Sequence, residues 1–362
     1  MQFTRRDFGR IAAAAAAVPQ LGWSEGSRPN SKFGGVQIGM ITYSFRQGVP
    51  KPEIVPDMVK LGLSEVELMS GDCEALAGVP AAPGAAGRGP GGGGGGRGRG
   101  QQGDVAMASN GCPVNTPAGR HAMPPQAGRG GGGGGRGPSA EQVEYQKKLR
   151  DWRASTTPET WKGVRKQFTD AGIDLQILCY NMNMNMPDEE IDYAFHMAKG
   201  LGVRAISCSS TVTFAKRVAP YAEKYKTIWA GHGHDDIYDP EQFAKPETFE
   251  LIMGLNKYIG VNLDIGHYTA AGYDAVAFIE KHHARITNIH LKDRNKPDKC
   301  GVSGNLPFGQ GDTPIKEVLL LMRKNKLKFP ANIEMEYRVP DGSDPVAEVG
   351  KCLQFCKGIL SA

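Results

Sequence analysis

The sequence of 362 residues has few cysteines, no long apolar run in its body and almost no net charge there. Its seven cysteines are odd in number and lack close spacing, which excludes a fold built on a disulfide framework. Beyond the first twenty residues, no stretch is long and apolar enough to span a bilayer. We therefore expect a globular protein that buries a sizeable apolar core.

The formal net charge of +5 belongs to two unusual segments. Residues 1–32 carry +3 and residues 72–140 carry another +3, so the remaining 261 residues carry −1. A nucleic-acid-binding domain needs a basic face on the fold itself, and this body does not supply the charge for one. Its length is close to the roughly 250 residues of an eight-fold β/α barrel.

The first 32 residues have the pattern of an export leader. Arg5 and Arg6 precede Phe8, and an alanine-rich apolar run covers 11–18. A charged region before a short apolar run is typical of a secretory signal, and the paired arginines resemble the twin-arginine type. We expect an exported, periplasmic protein, whose leader is either cleaved or kept as an anchor. The alternative is a chance Arg-Arg pair before a surface helix.

Residues 72–140 form a predicted insertion within a domain that covers 33–362. The insertion holds 23 of the 49 glycines, including the runs 91–96 and 130–135. It has few apolar side chains to bury and a high entropic cost of ordering, so we expect disorder. Arg-Gly repeats also occur in RNA-binding tails, but the predicted export argues against that use.

The cysteines are predicted to be mostly buried thiols. Cys179 and Cys208 lie in apolar, strand-like runs. Cys73 and Cys112 both lie in the insertion and could pair with each other in an oxidising compartment.

The body alternates strands and helices. The strand-like runs are 36–45, 63–69, 174–181, 204–210, 226–232, 259–265, 286–292 and 331–337. Helical patterns between and after them cover 157–171, 187–199, 247–258, 274–284, 314–325 and 345–359. Eight such units predict an α/β fold, a closed (β/α)8 TIM barrel, with the insertion after the second strand. That loop lies on the face where such barrels carry their sites.

Polar side chains alternate with apolar ones in several predicted strands. In the sixth, Val261, Leu263 and Ile265 alternate with Asn262 and Asp264. The apolar set must face the helices, so the polar set is expected to face the lumen. The corresponding polar positions elsewhere are Glu65, Glu67, His232, His234, Asn288, His290, Lys292, Asn332, Glu334 and Glu336.

Carboxylates and imidazoles buried together are costly unless they are paired or bind a metal. Asp, His and Glu at matching depth in three successive strands favour a metal site over a purely structural hydrogen-bond network. Two carboxylates and two imidazoles suit one divalent ion, and Mn²⁺, Co²⁺, Zn²⁺ and Fe²⁺ all remain open.

Three motifs resemble the xylose-isomerase-like barrel superfamily, a group described as sugar phosphate isomerases/epimerases. They are Asn-Leu-Asp-Ile-Gly-His at 262–267, Ile-His-Leu-Lys-Asp at 289–293 and Ile-Glu-Met-Glu at 333–336. The resemblance covers roughly 36–71 and 141–360. It implies that Asp264, His290 and Glu334 bind the metal and that His267 contacts substrate. The family's fourth ligand is usually a glutamate, and His232 stands in its place.

The resemblance implies a metal-dependent isomerase or epimerase that acts on a small carbohydrate through an enediolate. The predicted site residues are the catalytic Glu334, His234, His267 and Lys292 and the substrate-binding Glu67, His267 and Glu336. Glu334 or His234 would move the proton, and Lys292 would stabilise negative charge. We find no basic phosphate cradle in the sequence.

Two other functions remain open. The missing second glutamate makes a lyase that cleaves keto-glycosides by β-elimination the main alternative, and a non-catalytic sugar-binding protein is the second. A metal-dependent abasic-site endonuclease would share the barrel, but the charge of the body and the export pattern argue against it. The expected partner is a small carbohydrate rather than nucleic acid, and homo-oligomerisation stays open.

In the loop 309–314, Asp312 or Thr313 is expected to cap the helix that Pro314 opens.

Overall fold

Eight parallel strands close into a barrel. The computed structural model describes residues 28–46, 48–83, 107–113, 115–122 and 139–362. The barrel strands are β2 (Val36–Ile41), β3 (Glu65–Met69), β4 (Asp174–Cys179), β5 (Ala205–Cys208), β6 (Ile228–His232), β7 (Ile259–Asp264), β8 (Ile286–Leu291) and β11 (Ala331–Ile333). Each pairs with the next in chain order, and β2 pairs with both β3 and β11 to close the ring. The predicted TIM barrel is confirmed.

Short strands and twelve helices complete the described part. The strand β1 (Lys32–Phe33) pairs with β2, and β9 (Asp293–Arg294) pairs with β10 (Asn305–Leu306). The helices are α1 (Ile54–Leu61), α2 (Ser70–Leu76), α3 (Pro117–His121), α4 (Ala140–Ser155), α5 (Pro158–Asp170), α6 (Asp188–Leu201), α7 (Val212–Tyr225), α8 (Pro246–Met253), α9 (Ile265–Ala270), α10 (Ala275–His282), α11 (Ile315–Asn325) and α12 (Pro345–Ser361). No helix in the described ranges is long and apolar enough to cross a membrane.

The barrel strands have the expected apolar face toward the helices and polar face toward the lumen. Val261 and Leu263 of β7 are buried in the hydrophobic core, as are their counterparts in the neighbouring strands. Asn262 is equally buried, but its amide lies 3.1 Å from Nε2 of His290 on the next strand. The lumen is therefore filled by polar side chains that bind one another, as the period-two pattern predicts.

The last barrel strand ends earlier than predicted. Its ladder stops at Ile333, because β2 gives way to a 3₁₀ turn at Thr42–Phe45 and offers no further backbone partners. The Ser44 hydroxyl instead receives the backbone N–H of Met335 at 3.0 Å. The segment that carries Glu334 thus continues in line with the strand, held in part by side chains.

The insertion is ordered in part, which corrects the prediction of disorder for all of 72–140. Residues 70–76 form α2, and Pro117–His121 form α3. The glycine runs 91–96 and 130–135 lie outside the described residues, as does the predicted leader up to residue 27.

The predicted pairing of Cys73 with Cys112 is wrong. Cys112 forms a disulfide with Cys300, which lies between β9 and β10, and Cys73 is a buried free thiol on α2. The partner was missed because the two half-cystines are 188 residues apart in sequence. Cys179 and Cys208 are buried thiols, as expected.

Candidate metal centre and surrounding pocket

A pocket of about 430 Å³ opens at the carboxyl ends of the barrel strands. Its lining residues are Ile41, Tyr43, Met69, Cys179, Asn181, Ser209, His232, His234, Asn262, His267, His290, Lys292, Glu334 and Glu336. Parallel strands converge at this end, so residues far apart in sequence meet here.

Four side chains at this end of the barrel, three of which line the pocket, can converge on one cation. His232 ends β6, Asp264 ends β7, His290 lies on β8 and Glu334 follows β11. One ligand atom from each lies within 4.8 Å of the others, and all four side chains are buried. The structure thus brings together the four predicted metal ligands, although their role as ligands stays a prediction.

Two buried atoms of this group lack hydrogen-bond partners. Nδ1 of His232 has none, and neither does Oδ2 of Asp264, whose contact with Lys292 at 2.9 Å is an ion pair without hydrogen-bond geometry. The other oxygen of Asp264 accepts the backbone N–H of His267 at 2.8 Å and so caps α9. Buried atoms without partners are costly, and a cation would satisfy both. The residues present therefore fit a divalent metal.

His290 is fixed from both sides. Its Nε2 lies 2.7 Å from Glu67 Oε2, and its Nδ1 lies 3.0 Å from Glu334 Oε2. Burial lowers the pKa of His290, but the charges of Glu67 and Glu334 more than reverse this, so its pKa lies well above the usual value. Binding a metal through His290 would thus release a proton.

Glu67 lies in the lumen, as the alternation predicts, but deeper than the pocket lining. It lies beneath the pocket, where it also accepts hydrogen bonds from the amides of Asn288 at 2.7 Å and Asn332 at 3.2 Å, and from the hydroxyl of Ser207. It is not among the residues that line the pocket. The predicted substrate contact by Glu67 stays a prediction, and in the structure this carboxylate binds and orients His290.

Lys292 lies at the centre of the negative charges. Its ammonium is 2.9 Å from Asp264, 2.8 Å from Glu334 and 2.8 Å from Glu336, and the residue is 1% exposed. Burial lowers the pKa of Lys292, but the three carboxylates raise it above its usual value. The side chain therefore remains an ammonium and can stabilise an oxyanion in the pocket.

His234 and His267 form one wall of the pocket. Burial, followed by the charge of His267, lowers the pKa of His234 to about 3, so its ring is neutral at pH 7. Nδ1 of His267 lies 3.1 Å from Asp235, and Arg294 binds the other oxygen of Asp235 at 3.1 Å. Sequence reasoning missed Asp235 and Arg294, which lie beyond the ends of the predicted strands 226–232 and 286–292.

The opposite wall is less charged. Tyr43 contributes an aromatic ring, over which the guanidinium of Arg46 lies at 4.3 Å. Asn181 and Ser209 contribute polar groups and are joined by a hydrogen bond of 2.9 Å. These residues lie just beyond strand ends, where the sequence pattern carries no periodic signal.

The loop before α11 is organised differently from the prediction. Asp312 accepts the N–H of Lys296, and the hydroxyl of Thr313 accepts the N–H of Arg294, so neither side chain caps α11. The buried carboxylate of Asp293 instead accepts the backbone N–H groups of residues 309, 310, 311 and 313 at 2.8 to 3.3 Å. The predicted cap was wrong because both side chains accept other backbone N–H groups, those of Arg294 and Lys296.

Comparison with known proteins supports the barrel. A family model described as xylose isomerase-like TIM barrel matches residues 212–357. No curated protein matches the chain significantly. The match covers β6 to β11, the part of the chain that supplies all four candidate ligands.

Solved structures share the fold at low sequence identity. IolI with a bound zinc atom is 11% identical, with a TM-score of 0.55 over 90% of this chain and 98% of that one. The probable 3-DHS dehydratase AsbF from Bacillus anthracis is 11% identical, with a TM-score of 0.52 over 88% and 99% of the two chains. A xylose isomerase domain protein from Alicyclobacillus acidocaldarius is 11% identical, with a TM-score of 0.52 over 90% and 100%. The chain is thus a (β/α)8 barrel that is similar to the xylose isomerase-like TIM barrels.

Proposed function

We propose that this protein is a divalent-metal-dependent isomerase or epimerase that acts on a small carbohydrate through an enediolate. The observation that carries the proposal is the convergence of His232, Asp264, His290 and Glu334, three of which line an open pocket. IolI, a barrel of the same fold, has a bound zinc atom, which supports a metal in this protein. The candidate metals remain Mn²⁺, Co²⁺, Zn²⁺ and Fe²⁺.

A bound cation would supply Lewis acidity to the carbonyl and hydroxyl oxygens of the sugar and so acidify the neighbouring C–H. The side chains supply the rest. Glu334 or His234 accepts the proton from carbon, and the ammonium of Lys292 donates a hydrogen bond to the developing oxyanion. His267, held by Asp235, orients a hydroxyl group of the substrate. Glu336 lines the pocket and binds Lys292, so it contacts the substrate beside that ammonium.

The pocket favours an unphosphorylated sugar. Among the residues that line it, Lys292 is the one Lys or Arg, and three carboxylates already bind its ammonium. A phosphate group would have no free cationic partner there. The polar wall of Asn181 and Ser209 and the ring of Tyr43 suit hydroxyl groups and a sugar face instead.

A keto-glycoside lyase is the second candidate. Both reactions begin by removing the proton beside a carbonyl, and elimination then expels the group on the next carbon. The observation that favours the lyase is His232, which stands where the resemblance predicts a second glutamate. Without that glutamate, a proton exchange between two glutamates is not available.

One experiment tests both activities. The full chain, loaded with Mn²⁺, Co²⁺ or Zn²⁺, is incubated in D₂O with ketoses and with keto-glycosides, and the products are followed by NMR. We expect deuterium at the carbon beside the carbonyl, with isomerised or epimerised sugar and no released aglycone. Release of the aglycone would instead establish the lyase.

Matched variants separate catalysis from binding. Asp264→Asn should abolish deuterium exchange, whereas His196→Gln, on the exposed face of α6, should leave it unchanged. A loaded wild-type protein that binds sugar but exchanges no deuterium across the panel would refute the enzyme. It would favour the non-catalytic sugar-binding protein.

We also propose that the protein is exported. The disulfide Cys112–Cys300 supports this, because such bonds persist in oxidising compartments. Fractionation of the source cells would test it: recovery of the protein in the cytosol, with these thiols reduced, would refute export.

A further inference from the structure

The disulfide joins the insertion to a hairpin that backs the pocket. This hairpin consists of β9, β10 and the loop 295–304 between them, and a turn at 298–302 forms its tip. The carboxylate of Asp298 accepts the backbone N–H groups of Cys300 at 2.8 Å and Val302 at 2.9 Å. The turn that carries Cys300 therefore has a shape fixed by its own hydrogen bonds.

The other half of the disulfide lies in a compact part of the insertion, residues 107–113 and 115–122, named the strap below. The backbone N–H of Gly111 donates to Ala108 at 2.9 Å and so closes a tight turn. The amide of Asn110 in this turn donates to the backbone oxygen of Ala118 on α3 at 2.8 Å. The strap is thus folded on itself, with Cys112 in the middle.

The strap contacts the tip of the hairpin through more than the disulfide. The backbone N–H of Ala118 donates to the carbonyl of Cys300 at 3.2 Å, and these two residues form a small buried apolar cluster with Cys112. Gly301 has a φ of +75°, and a Cβ at this position would lie 3.1 Å from Cβ of Pro117. Glycine therefore permits both the turn and the close approach of the strap.

The paired end of the hairpin faces the pocket. Arg294 and Asn305 are partners in the antiparallel pair, so their side chains share one face. Nη1 of Arg294 lies 2.5 Å from Nδ1 of His267, and Nη2 lies 3.1 Å from Asp235. The amide of Asn305 donates to Glu336 at 3.4 Å. Because His267 and Glu336 line the pocket, the position of the hairpin affects two of its walls.

The hairpin is held from outside at both ends. At its base, Asp293 accepts four backbone N–H groups from the loop 309–313. At its tip, the strap binds Cys300. Between the two, Nε of Arg294, Oγ of Ser303 and Oδ1 of Asn305 are buried without hydrogen-bond partners in the described structure. Side-chain bonds within the hairpin thus contribute little to its position, and the anchor at the tip matters more.

We infer that the strap holds the β9–β10 hairpin against the pocket, so that reduction of Cys112–Cys300 moves Arg294 away from His267 and weakens substrate binding. A phosphine carries out this step: the disulfide, one phosphine and one water give two thiols and a phosphine oxide. The four candidate metal ligands lie outside the hairpin and stay in place. The effect on substrate binding rests on the proposed function, whereas the movement of the hairpin does not.

Hydrogen exchange of the full, metal-loaded chain tests the movement. The wild type is measured before and after treatment with tris(2-carboxyethyl)phosphine, and mass spectrometry verifies the two new thiols. Exchange in the loop 295–304 should rise at least about 10-fold on reduction, while β8 stays protected, because only the hairpin gains freedom. The control is Cys112→Ser/Cys300→Ser, which should match the reduced wild type with or without the phosphine.

Labelling with phenylglyoxal follows the wall of the pocket itself. Arg294 is 7% exposed, so it should react slowly in the oxidised protein and several-fold faster after reduction. With a sugar that the protein converts, kcat/KM should fall on the order of 10-fold, mainly through a higher KM, since His267 is less well positioned. Metal affinity, measured by competition with a chelator, should stay the same.

Unchanged exchange in 295–304 after verified reduction would overturn the inference. An equal rise of exchange in β8 would overturn it as well, because the disulfide would then stabilise the whole barrel. Faster exchange in the loop with unchanged labelling of Arg294 would refute the link to the pocket. A protein that converts no sugar in either redox state refutes the proposed reaction, and exchange and labelling still decide on the strap.

Discussion

The ammonium of Lys292 holds together carboxylates from two neighbouring parts of the barrel, Asp264 on β7 and Glu334 and Glu336 after β11. Two of these carboxylates are also candidate metal ligands. In the absence of a cation, the charges of Lys292 and His290 outweigh the effect of burial and lower the pKa of Glu334 well below its usual value. Removal of this ammonium should therefore affect both the free energy of unfolding and catalysis.

Lys292→Met should destabilise the metal-free protein by about 3–5 kcal/mol, the usual cost of leaving buried charges without a partner. Urea unfolding in the presence of chelator measures this. Added Mn²⁺ should restore part of the loss, because the metal supplies the missing charge. Catalysis should fall on the order of 10²–10³-fold even with metal present.

The control for this variant is Lys281→Met, which removes an exposed ion pair with Glu250. It should change the free energy of unfolding by no more than about 0.5 kcal/mol. Equal stability of the Lys292 and Lys281 variants would show that the buried ammonium does not carry this role.

Glu67 and Glu65 offer a matched pair of buried carboxyl groups on β3. Glu67→Gln should weaken metal binding about 10–100-fold, because it removes the carboxylate that orients His290. Competition with a chelator of known affinity measures the change.

Glu65→Gln should leave the metal affinity unaltered. Burial and the charge of Glu67 raise the pKa of Glu65 well above its usual value, which favours its neutral form, and the amide is close to that form in size and shape. A comparable loss of affinity in both variants would contradict the assignment of Glu67 to His290.

The residues that sequence reasoning located and those it missed differ in their surroundings. The four candidate ligands stand in strands or directly after one, where alternation places a side chain in the lumen, and the structure brings them together. Asp235 and Arg294 lie beyond the predicted strand ends, where the path of the chain is set by contacts between distant segments. The alternation placed Glu67 in the lumen. Its depth below the pocket depends on the stagger of the strands, which the alternation does not give.

At the scale of elements, Asp293 organises the loop before α11. One carboxylate collects four backbone N–H groups, which fixes the path of residues 309–313. Asp293→Ala should therefore lower the free energy of unfolding by about 2–4 kcal/mol, since buried donors lose their acceptor. Urea unfolding measures this. Asp312→Ala, which removes one acceptor for Lys296, should cost about 1 kcal/mol or less, and the reverse order would refute this account.

Helices were predicted less completely than strands. The pattern located α5, α6 and α12 but missed α1 and α7, each of which contains a proline, Pro56 and Pro220. Pro56 lies in a first turn, where no backbone donor is lost, and Pro220 is tolerated because tertiary packing of α7 outweighs its cost. The helix α4 was missed because it has no buried face: none of its residues is fully buried.

At the scale of the whole molecule, the disulfide joins the insertion to the loop between β9 and β10. Cys112 and Cys300 close a loop of 188 residues. The double variant Cys112→Ser/Cys300→Ser should lose stability, by at most about 5 kcal/mol on chain entropy. Urea unfolding without reductant measures the loss. Addition of reductant should destabilise the wild type and leave the double variant unchanged; equal stability without reductant would contradict the expectation.

The described chain begins at the end of the barrel opposite the pocket. Arg28 and Pro29 pack on Gly172, two residues before β4, and Ser31 binds Ser64, which immediately precedes β3. Both contacts lie at the amino ends of the strands, whereas the pocket lies at their carboxyl ends. Any tether joined upstream of Arg28 would therefore hold the protein by its closed end, with the pocket mouth directed away from the attachment point and open to diffusing sugars.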